Sequence, residues 1–366
     1  MIREGSEPSI ENADLSIIMP VYNTEETYLR ACLSSIEACV AEGICIDVVI
    51  VDDGSTFDYC KSLNAIASSY SFGARVLKKS NGGQNSARAY GLARAKGKYV
   101  LFADSDDRLV PSELKRVLDA ALAHLPKILC FNFDRVNPDG SLIAHCDPWQ
   151  VGYRKIESLS RIIPESDSLF RQLYYRESII GSGVSLVEGA RIGEDMASAV
   201  ALLLSIGEAA SIDATPYLYV QRPTSALHSV SKDRVLDIIS SVEGMLARIP
   251  YKARSEYHQE LESLCIEHLL FWGGVRAIDV SDAAASVKSC VFSWMDERFP
   301  NWRANACLNS LAAKHGWRLR LIVSGHWRIY KALSAAGKLK RSLRLSERGQ
   351  EYEGAVCRKS CVRVRR

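Results

Sequence analysis

The sequence lacks any long apolar run of the kind that crosses a membrane. Its longest uncharged apolar stretch, residues 196–207, lies between Asp195 and Glu208, and a spanning helix needs roughly 20 such residues. The first residues also lack the apolar core of a secretory signal peptide. We therefore expect a protein that does not span the membrane and that stays in the cytoplasm.

The sequence also lacks a cysteine framework. Its 11 cysteines are scattered, and no Cys-x-x-Cys pair occurs among them. This pattern excludes a zinc site of the usual spacing and a small module held together by disulfides. We expect most of these thiols to be reduced and to pack as small apolar groups.

The overall composition is that of a globular protein, because 47% of the 366 residues are hydrophobic and 24% are charged. This length fits one large α/β domain with an appendage. The net charge of +3 is unevenly distributed: residues 331–366 contain eleven Lys and Arg against three Glu, a local charge of +8, which leaves −5 for residues 1–330. No nucleic-acid-binding motif accompanies the basic segment, so we expect no nucleic-acid partner.

Continuous apolar runs alternate with helical patterns in the first third of the chain. The runs end at Pro20, Asp52 and Asp104, and they are predicted as strands at residues 15–19, 46–51 and 99–103, with further strands at 75–78 and 128–133. Helices are predicted at residues 25–41 and 86–96 and from about Pro111. This order predicts a doubly wound, mostly parallel α/β sheet with its ligand site at the carboxyl ends of the strands.

Acidic residues follow the predicted strands. Asp104 and Asp106 have the Asp-x-Asp spacing that lets two carboxylates bind Mg²⁺ or Mn²⁺ through oxygen; the alternative is a solvated acidic turn. The segment Asn81-Gly82-Gly83 leads into a helix with Arg88 in its first turn, and free helical amides with a guanidinium suit a diphosphate. The alternative for this segment is a tight turn.

The combination of these motifs resembles glycosyltransferase family 2. The segments that carry the likeness are residues 17–23 (IIMPVYN), 51–55 (VDDGS), 81–97 and 102–107 (FADSDD). The likeness covers roughly residues 14–229. It implies a GT-A fold, a Rossmann-like sheet, a nucleotide-diphosphate sugar donor, a divalent metal and inversion at the anomeric carbon.

The resemblance also implies roles for individual residues. The matching positions for donor binding are Pro20, Tyr22, Asn23, Asp52, Arg88 and Asp104. Asp106 would be the principal ligand of Mn²⁺ or Mg²⁺, with help from Asp104. Glu194 and Asp195 resemble the family's Glu-Asp motif, whose second carboxylate is the catalytic base. The segment from Tyr217 resembles the part that closes over the donor, which makes Arg222, Ser225 and His228 further candidates.

The rest of the chain divides into predicted segments without a family likeness. Residues 1–13 are expected to be a polar leader, 14–229 the GT-A domain and 230–366 a helical, basic extension. Helices are expected at 240–248 and 256–271, with a break at Trp272-Gly273-Gly274. Residues 317–333 place Leu319, Ile322, Val323, Trp327, Tyr330 and Leu333 on one helical arc. That arc either packs on the domain or, with the basic segment, contacts an anionic membrane through residues 317–366.

These observations predict an inverting, metal-dependent hexosyl- or N-acetylhexosaminyl-transferase. The family most often uses UDP-sugars, and the acceptor would be a hydroxyl of a glycan or a lipid-linked molecule in cell-surface polysaccharide synthesis. Two alternatives stay open. A sugar nucleotidyltransferase would carry a Gly-rich loop after the first strand, where this chain has residues 20–23, and a catalytically silent nucleotide-binding subunit would keep the fold without the carboxylates.

Overall fold

The computed structural model describes residues 13–222, 232–279 and 284–336. Its strands are β1 Leu15–Val21, β2 Ile46–Asp52, β3 Arg75–Lys78, β4 Tyr99–Phe102, β5 Arg108–Leu109, β6 Ile128–Cys130, β7 Phe133–Val136, β8 Leu142–Cys146, β9 Arg154–Lys155, β10 Gln172–Tyr175, β11 Ala210–Ser211 and β12 Tyr217–Val220. The first helices are α1 Glu26–Ala41, α2 Phe57–Ala67, α3 Gln84–Leu92, α4 Pro111–His124, α5 Arg176–Ser182 and α6 Glu194–Ile206. These elements form the mixed α/β architecture that the apolar runs predict.

Further helices make up the C-terminal part. They are α7 Lys232–Arg248, α8 Tyr251–Glu256, α9 His258–Cys265, a π-helical segment Ile266–Trp272, α10 Gly273–Asp279, α11 Ala284–Arg298, α12 Leu308–His315, α13 Trp317–Val323 and α14, residues 327–336. None of the helices in the described ranges has the length and apolar character needed to cross a membrane.

The large sheet has the strand order β3-β2-β1-β4-β10-β6-β11-β9. Its strands β3, β2, β1 and β4 are parallel, β10 is antiparallel to both of its neighbours, and β9 is antiparallel to β11. All residues of β1 and β2 are buried, because helices cover both faces. A smaller sheet has the order β5-β12-β7-β8.

Alternate residues of β1 contribute to the two cores of the molecule. Ile17 and Met19 join the core beneath α1 and α4, and Ile18 joins the core that also contains Phe271 and Trp302 of the C-terminal part. The C-terminal helices therefore share a core with the sheet. The predicted boundary between residues 229 and 230 lies outside the described residues, as does most of the predicted leader.

Two predicted strand boundaries differ from the structure. β1 continues through Pro20 to Val21. Its pairing with β4 ends at Ile18, so beyond that residue β1 pairs with β2 alone. Proline is tolerated where fewer backbone donors are needed. The predicted strand at residues 128–133 is two strands in different sheets, because Asn132 between them bonds the backbone of Trp149 and Ala214.

The predicted break at residues 272–274 is wrong. Gly273 has helical dihedral angles, and the chain passes from the π-helical segment directly into α10. A Cβ atom on Gly274 would lie 2.9 Å from Ile322 Cγ2 and 3.0 Å from Trp327 Cζ2. This glycine therefore allows α10 to approach α13 and α14 closely.

Residues 317–333 do not form one helix with a free apolar face. α13 and α14 are separated at Gly325, which has a φ of 75°. Leu319, Ile322, Trp327 and Tyr330 are buried in the core of the C-terminal helices. These four of its six residues therefore pack on neighbouring helices, whereas Leu333 at its end is 50% exposed. The packing favours the first alternative for the arc, and membrane contact stays a prediction. The basic residues 337–366 lie outside the described residues.

The burial of this arc predicts unequal costs for two leucine substitutions. Leu319 is 1% exposed and Leu333 is 50% exposed. Leu319→Ala should lower the free energy of unfolding by about 2–5 kcal/mol, because it leaves a cavity. Leu333→Ala should change it by less than about 0.5 kcal/mol. Urea unfolding with an unchanged m-value measures both, and equal effects would contradict the described packing.

Candidate active site

Asp52 at the end of β2 organises the loops that follow the first two strands. Its Oδ1 accepts the backbone N–H of Ser55 at 2.9 Å, and its Oδ2 accepts the thiol of Cys60 at 2.7 Å. Burial opposes ionisation, but these hydrogen bonds lower the pKa of Asp52 below its ordinary value. Asp52 is therefore a fixed, buried carboxylate in the crevice at the carboxyl ends of β1, β2 and β4.

Asn23 connects the loop after β1 to the loop after β2. It has a positive φ of 47°, its N–H donates to Ser55 Oγ at 3.0 Å, and its Oδ1 accepts the N–H of Thr56 at 3.0 Å. These hydrogen bonds of Asn23 hold the two loops together. The neighbouring Tyr22 is 57% exposed, which leaves an aromatic ring free beside Asp52.

The glycine loop does not offer the free amides that its sequence suggests. Asp53 is buried, and its carboxylate accepts the N–H of Gly82 at 3.0 Å and of Gly83 at 2.8 Å. Lys79 Nζ lies 2.8 Å from the same carboxylate. The loop is thus held by a protein carboxylate, and the amides of Gly82 and Gly83 are already occupied. Diphosphate binding by the amides of the first turn of α3 stays a prediction. The sequence analysis missed Asp53 because Asp52 alone matched the donor-binding position.

Three carboxylates gather after β4. Atoms of Asp104, Asp106 and Asp107 that could bind a metal lie within 4.8 Å of one another. Asp107, however, accepts the hydroxyl of Tyr217 at 2.6 Å and the N–H of Val220 at 2.7 Å. Asp107 therefore joins β12 to this loop, and Asp104 and Asp106 are the carboxylates that face the crevice.

Asp104 and Asp106 each keep an oxygen for a divalent ion. Gln84 and Arg88 both donate to Asp104 Oδ1, and Arg222 Nη2 lies 2.5 Å from Asp106 Oδ2. Within the described residues, no side chain forms a hydrogen bond or ion pair with the second oxygen of either carboxylate. Two such oxygens fit Mg²⁺ or Mn²⁺. Burial and Asp104 raise the pKa of Asp106 to about 6, although Arg222 opposes the shift.

Helix α3 carries Arg88 into the centre of the site. Gly91 permits this position, since a Cβ there would lie 2.6 Å from Ile18 Cγ2 on β1. Arg88 is fully buried, with Nη2 2.6 Å from Asp104 Oδ1 and Nη1 bonded to Asp195 Oδ1 and, at 2.8 Å, to Asn85 Oδ1. The guanidinium thus joins two carboxylates.

The start of α6 holds the two acidic residues of the Glu-Asp pair in different surroundings. Burial raises the pKa of Asp195 and Arg88 opposes this shift. Burial and Asp195 raise the pKa of Glu194 to about 8, so Glu194 is mainly protonated at pH 7. Asp195 is therefore the member of the pair that keeps a direct cationic partner.

Asn85 was missed by the sequence analysis, although it fixes α3 to the start of α6. Its buried Nδ2 lies 3.0 Å from the carbonyl oxygens of Val187 and Glu194 and from Ser198 Oγ. Its only sequence signal is a polar residue two positions after the Gly-Gly pair, which by itself indicates a helix start.

The candidates in the segment after β12 are only partly described. Arg222 contacts Asp106, and its guanidinium lies 5.4 Å from the ring centroid of Tyr28. Ser225 and His228 lie outside the described residues, so their roles stay predictions. Pro20 occupies the end of β1, on the same edge of the sheet as Asp52.

The comparisons with known proteins agree with this arrangement. Residues 16–181 match the sequence profile described as glycosyl transferase family 2, which agrees with the resemblance that the motifs indicate. It is 28% identical over 252 residues to the succinoglycan biosynthesis protein ExoO of Rhizobium meliloti, a match that covers 66% of this chain and 70% of that protein. It is 32% identical over 108 residues to the uncharacterised glycosyltransferase YibD of Escherichia coli, covering 30% of each chain.

Solved structures share the fold. Residues 1–349 of S. aureus TarS in complex with UDP-GlcNAc match with a TM-score of 0.58 and 19% identity, covering 83% of this chain and 91% of that one. The same fragment in complex with UDP matches with a TM-score of 0.55 and 20% identity, over the same shares of the two chains. The fold is the GT-A glycosyltransferase fold, here with a helical C-terminal part.

The position of Arg88 predicts a large structural cost for its removal. Arg88→Ala leaves Asp104 and Asp195 without their shared cation, which should lower the free energy of unfolding by about 3–5 kcal/mol. Arg116 is a matched control, because it also contacts two carboxylates but its side chain is 49% exposed. Arg116→Ala should cost less than about 1 kcal/mol. Chemical denaturation measures both, and a fully stable Arg88→Ala protein would refute the bridging role.

Proposed function

We propose that this protein transfers a sugar from a nucleotide-diphosphate donor to an acceptor hydroxyl with inversion of configuration. The observation that carries this proposal is the linkage of Asp104 and Asp195 through Arg88. It brings a metal-binding carboxylate and a candidate base into one crevice. The match to the family profile supports the transferase class, and the UDP and UDP-GlcNAc complexes of TarS support a uridine nucleotide donor.

The donor would occupy the crevice between the ends of β1, β2 and β4. Asp52 has hydrogen-bonding capacity for the nucleobase or ribose, and the exposed ring of Tyr22 offers a stacking surface. Asp104 and Asp106 would hold the divalent ion. When bound, that ion would neutralise charge on the leaving diphosphate.

Asp195 is the proposed general base. An acceptor hydroxyl has to lose its proton as it attacks the anomeric carbon, and a carboxylate beside the donor can accept it. Arg88 would hold Asp195 in place through its ion pair, as a positioning residue. The protonated state of Glu194 near neutral pH makes it a weaker candidate for this step.

The acceptor is proposed to be a hydroxyl of a glycan or of a lipid-linked saccharide in cell-surface polysaccharide synthesis. The similarity to ExoO, a succinoglycan biosynthesis protein, supports a polysaccharide pathway. Contact with an anionic membrane would rest mainly on the charge of the basic segment, residues 331–366, because most of the apolar arc of α13 and α14 is buried.

Metal dependence should follow the crevice-facing carboxylates. Asp106→Asn should lower Mn²⁺-dependent turnover by about a hundredfold or more, because it removes a ligand of a Lewis acid worth several kcal/mol. Asp119→Asn is the matched control, since the Asp119 side chain is 59% exposed and its ion-pair partner among the described residues is Lys115. Turnover that survives both EDTA and Asp106→Asn would exclude this metal site.

The base assignment predicts a separation of binding from chemistry. Asp195→Asn should keep the UDP affinity of the native protein within about twofold and lose transfer by about a hundredfold or more. Glu194→Gln is the neighbouring control, because Gln replaces a carboxyl that is mainly protonated at pH 7, and it should keep most of the activity. Calorimetry with UDP and a UDP-release assay measure the two quantities.

Two outcomes would contradict the base assignment. Unchanged turnover in Asp195→Asn would exclude this residue as the base. A proportionate loss of UDP affinity and turnover would instead assign Asp195 to the donor site.

The same assays distinguish the alternative functions. Release of pyrophosphate in place of UDP would indicate a nucleotidyltransferase, and UDP binding without turnover on any acceptor would indicate a silent subunit.

A further inference from the structure

A second concave site lies beside β9 and β11, which are the last strands of the large sheet when they are counted from β3. It has a volume of about 240 Å³, and its walls include Trp149, Gln150, Arg154, Lys155, Arg161 and Ser211. None of these residues belongs to the crevice described above. The site therefore has no part in donor binding or metal binding.

The net charge of the residues that line this pocket is positive. Arg154, Lys155 and Arg161 line it with Glu157 as the single acidic residue. Across the described parts of the chain, none of the three cations forms an ion pair. Exposed cations that line one concavity and outnumber its carboxylates favour an anionic ligand.

The other walls of the pocket suit a sugar better than a bare anion. Gln150, Ser158 and Ser211 supply hydrogen-bonding groups, and Val151 is 59% exposed at the rim. Trp149 is 5% exposed, and the Arg161 guanidinium lies 5.8 Å from its ring centroid. Asn132 fixes this wall by two hydrogen bonds to the backbone of Trp149, at 2.8 and 3.0 Å.

The pocket and the active site lie along the same edge of the sheet. β11 is parallel to β6, which has the same direction as β4, so Ser211 at the end of β11 faces the same edge as Asp104. Arg154 pairs directly with Ser211. Four strand spacings separate β4 from β9, a distance of about 19 Å at the usual interval between strands.

We propose that this pocket binds an acidic sugar unit of the acceptor glycan, several units away from the hydroxyl that reacts. The inference rests on the proposed transfer to a glycan. A carboxylate or phosphate on the sugar would contact Arg154, Lys155 and Arg161, and its hydroxyls would contact Gln150 and the two serines. A general affinity for polyanions such as nucleic acids is disfavoured, because residues 1–330 carry a net charge of −5.

Calorimetry with defined oligosaccharides tests this pocket directly. The full-length protein should bind tetragalacturonate more tightly than the neutral maltotetraose, and added salt should weaken the binding of the acidic probe. The triple variant Arg154→Ala, Lys155→Ala, Arg161→Ala should lose about tenfold or more of this affinity. Lys155→Glu should weaken binding further than Lys155→Ala and provides a single-residue variant.

A matched triple variant controls for total charge. Arg320, Arg328 and Lys331 are exposed cations of α13 and α14, and replacing all three by Ala removes the same charge from another surface. This control should keep the native affinity. Equal losses in both triple variants, equal binding of acidic and neutral probes, or no binding of tetragalacturonate would each overturn the proposal. Full displacement by inorganic phosphate at equal affinity would also overturn it, since it would show a site for small anions only.

UDP binding and UDP-sugar hydrolysis, measured on the same samples, separate this inference from the proposed function. The pocket variant should keep both, because its residues lie outside the donor crevice. A native protein that ignores UDP would count against the proposed transferase, whereas the oligosaccharide result would still decide whether the pocket binds acidic sugars.

Discussion

The ion pairs of Arg88 connect the parts of the molecule on which the proposed chemistry depends. Asp104 follows β4, and Asp195 lies in the first turn of α6. Both carboxylates contact Arg88, and they would repel each other if this cation were absent. Burial alone would lower the pKa of Arg88, but Asp195 and Asp104 raise it above its ordinary value. The guanidinium therefore stays charged, and it sets the position of one carboxylate relative to the other.

The rest of the fold holds the two helices that carry this interaction. α3 rests on β1 and β2, and Asn85 ties it to the first residue of α6. α7 packs against α6, and a Cβ on Gly193 would lie 3.2 Å from Ile238 of α7. The C-terminal helices therefore pack against the start of α6 and stabilise its position. Their shared core with the sheet gives the extension a structural role in the site.

The sequence was most informative where a physical signal is local. Continuous apolar runs predicted β1, β2 and β4, because a strand covered on both faces needs apolar side chains at every position. The carboxylates at the ends of these strands, and the family resemblance they carry, predicted the crevice. Asp104 and Asp106 lie where this pattern expects them, and the fold is confirmed.

What the sequence could not predict depends on partners that are distant in the chain. Arg88 matched a donor-binding position, yet its partners Asp104 and Asp195 lie 16 and 107 positions away. Asp106 and Asp107 are adjacent in the sequence but have different hydrogen-bond partners. Tyr217 and Val220 of β12 donate to Asp107 alone of the two. The amphipathic pattern of residues 317–333 predicted a buried or membrane-bound face, but only the packing shows which surface covers it.

A crystal structure of the protein with Mn²⁺ and UDP, with the anomalous signal of manganese recorded, tests the central claim most directly. The account predicts a manganese peak bound by Asp106 and the second oxygen of Asp104, with Arg88 still joining Asp104 to Asp195. A peak elsewhere, or an Arg88 side chain that leaves Asp195 when UDP is bound, would contradict it.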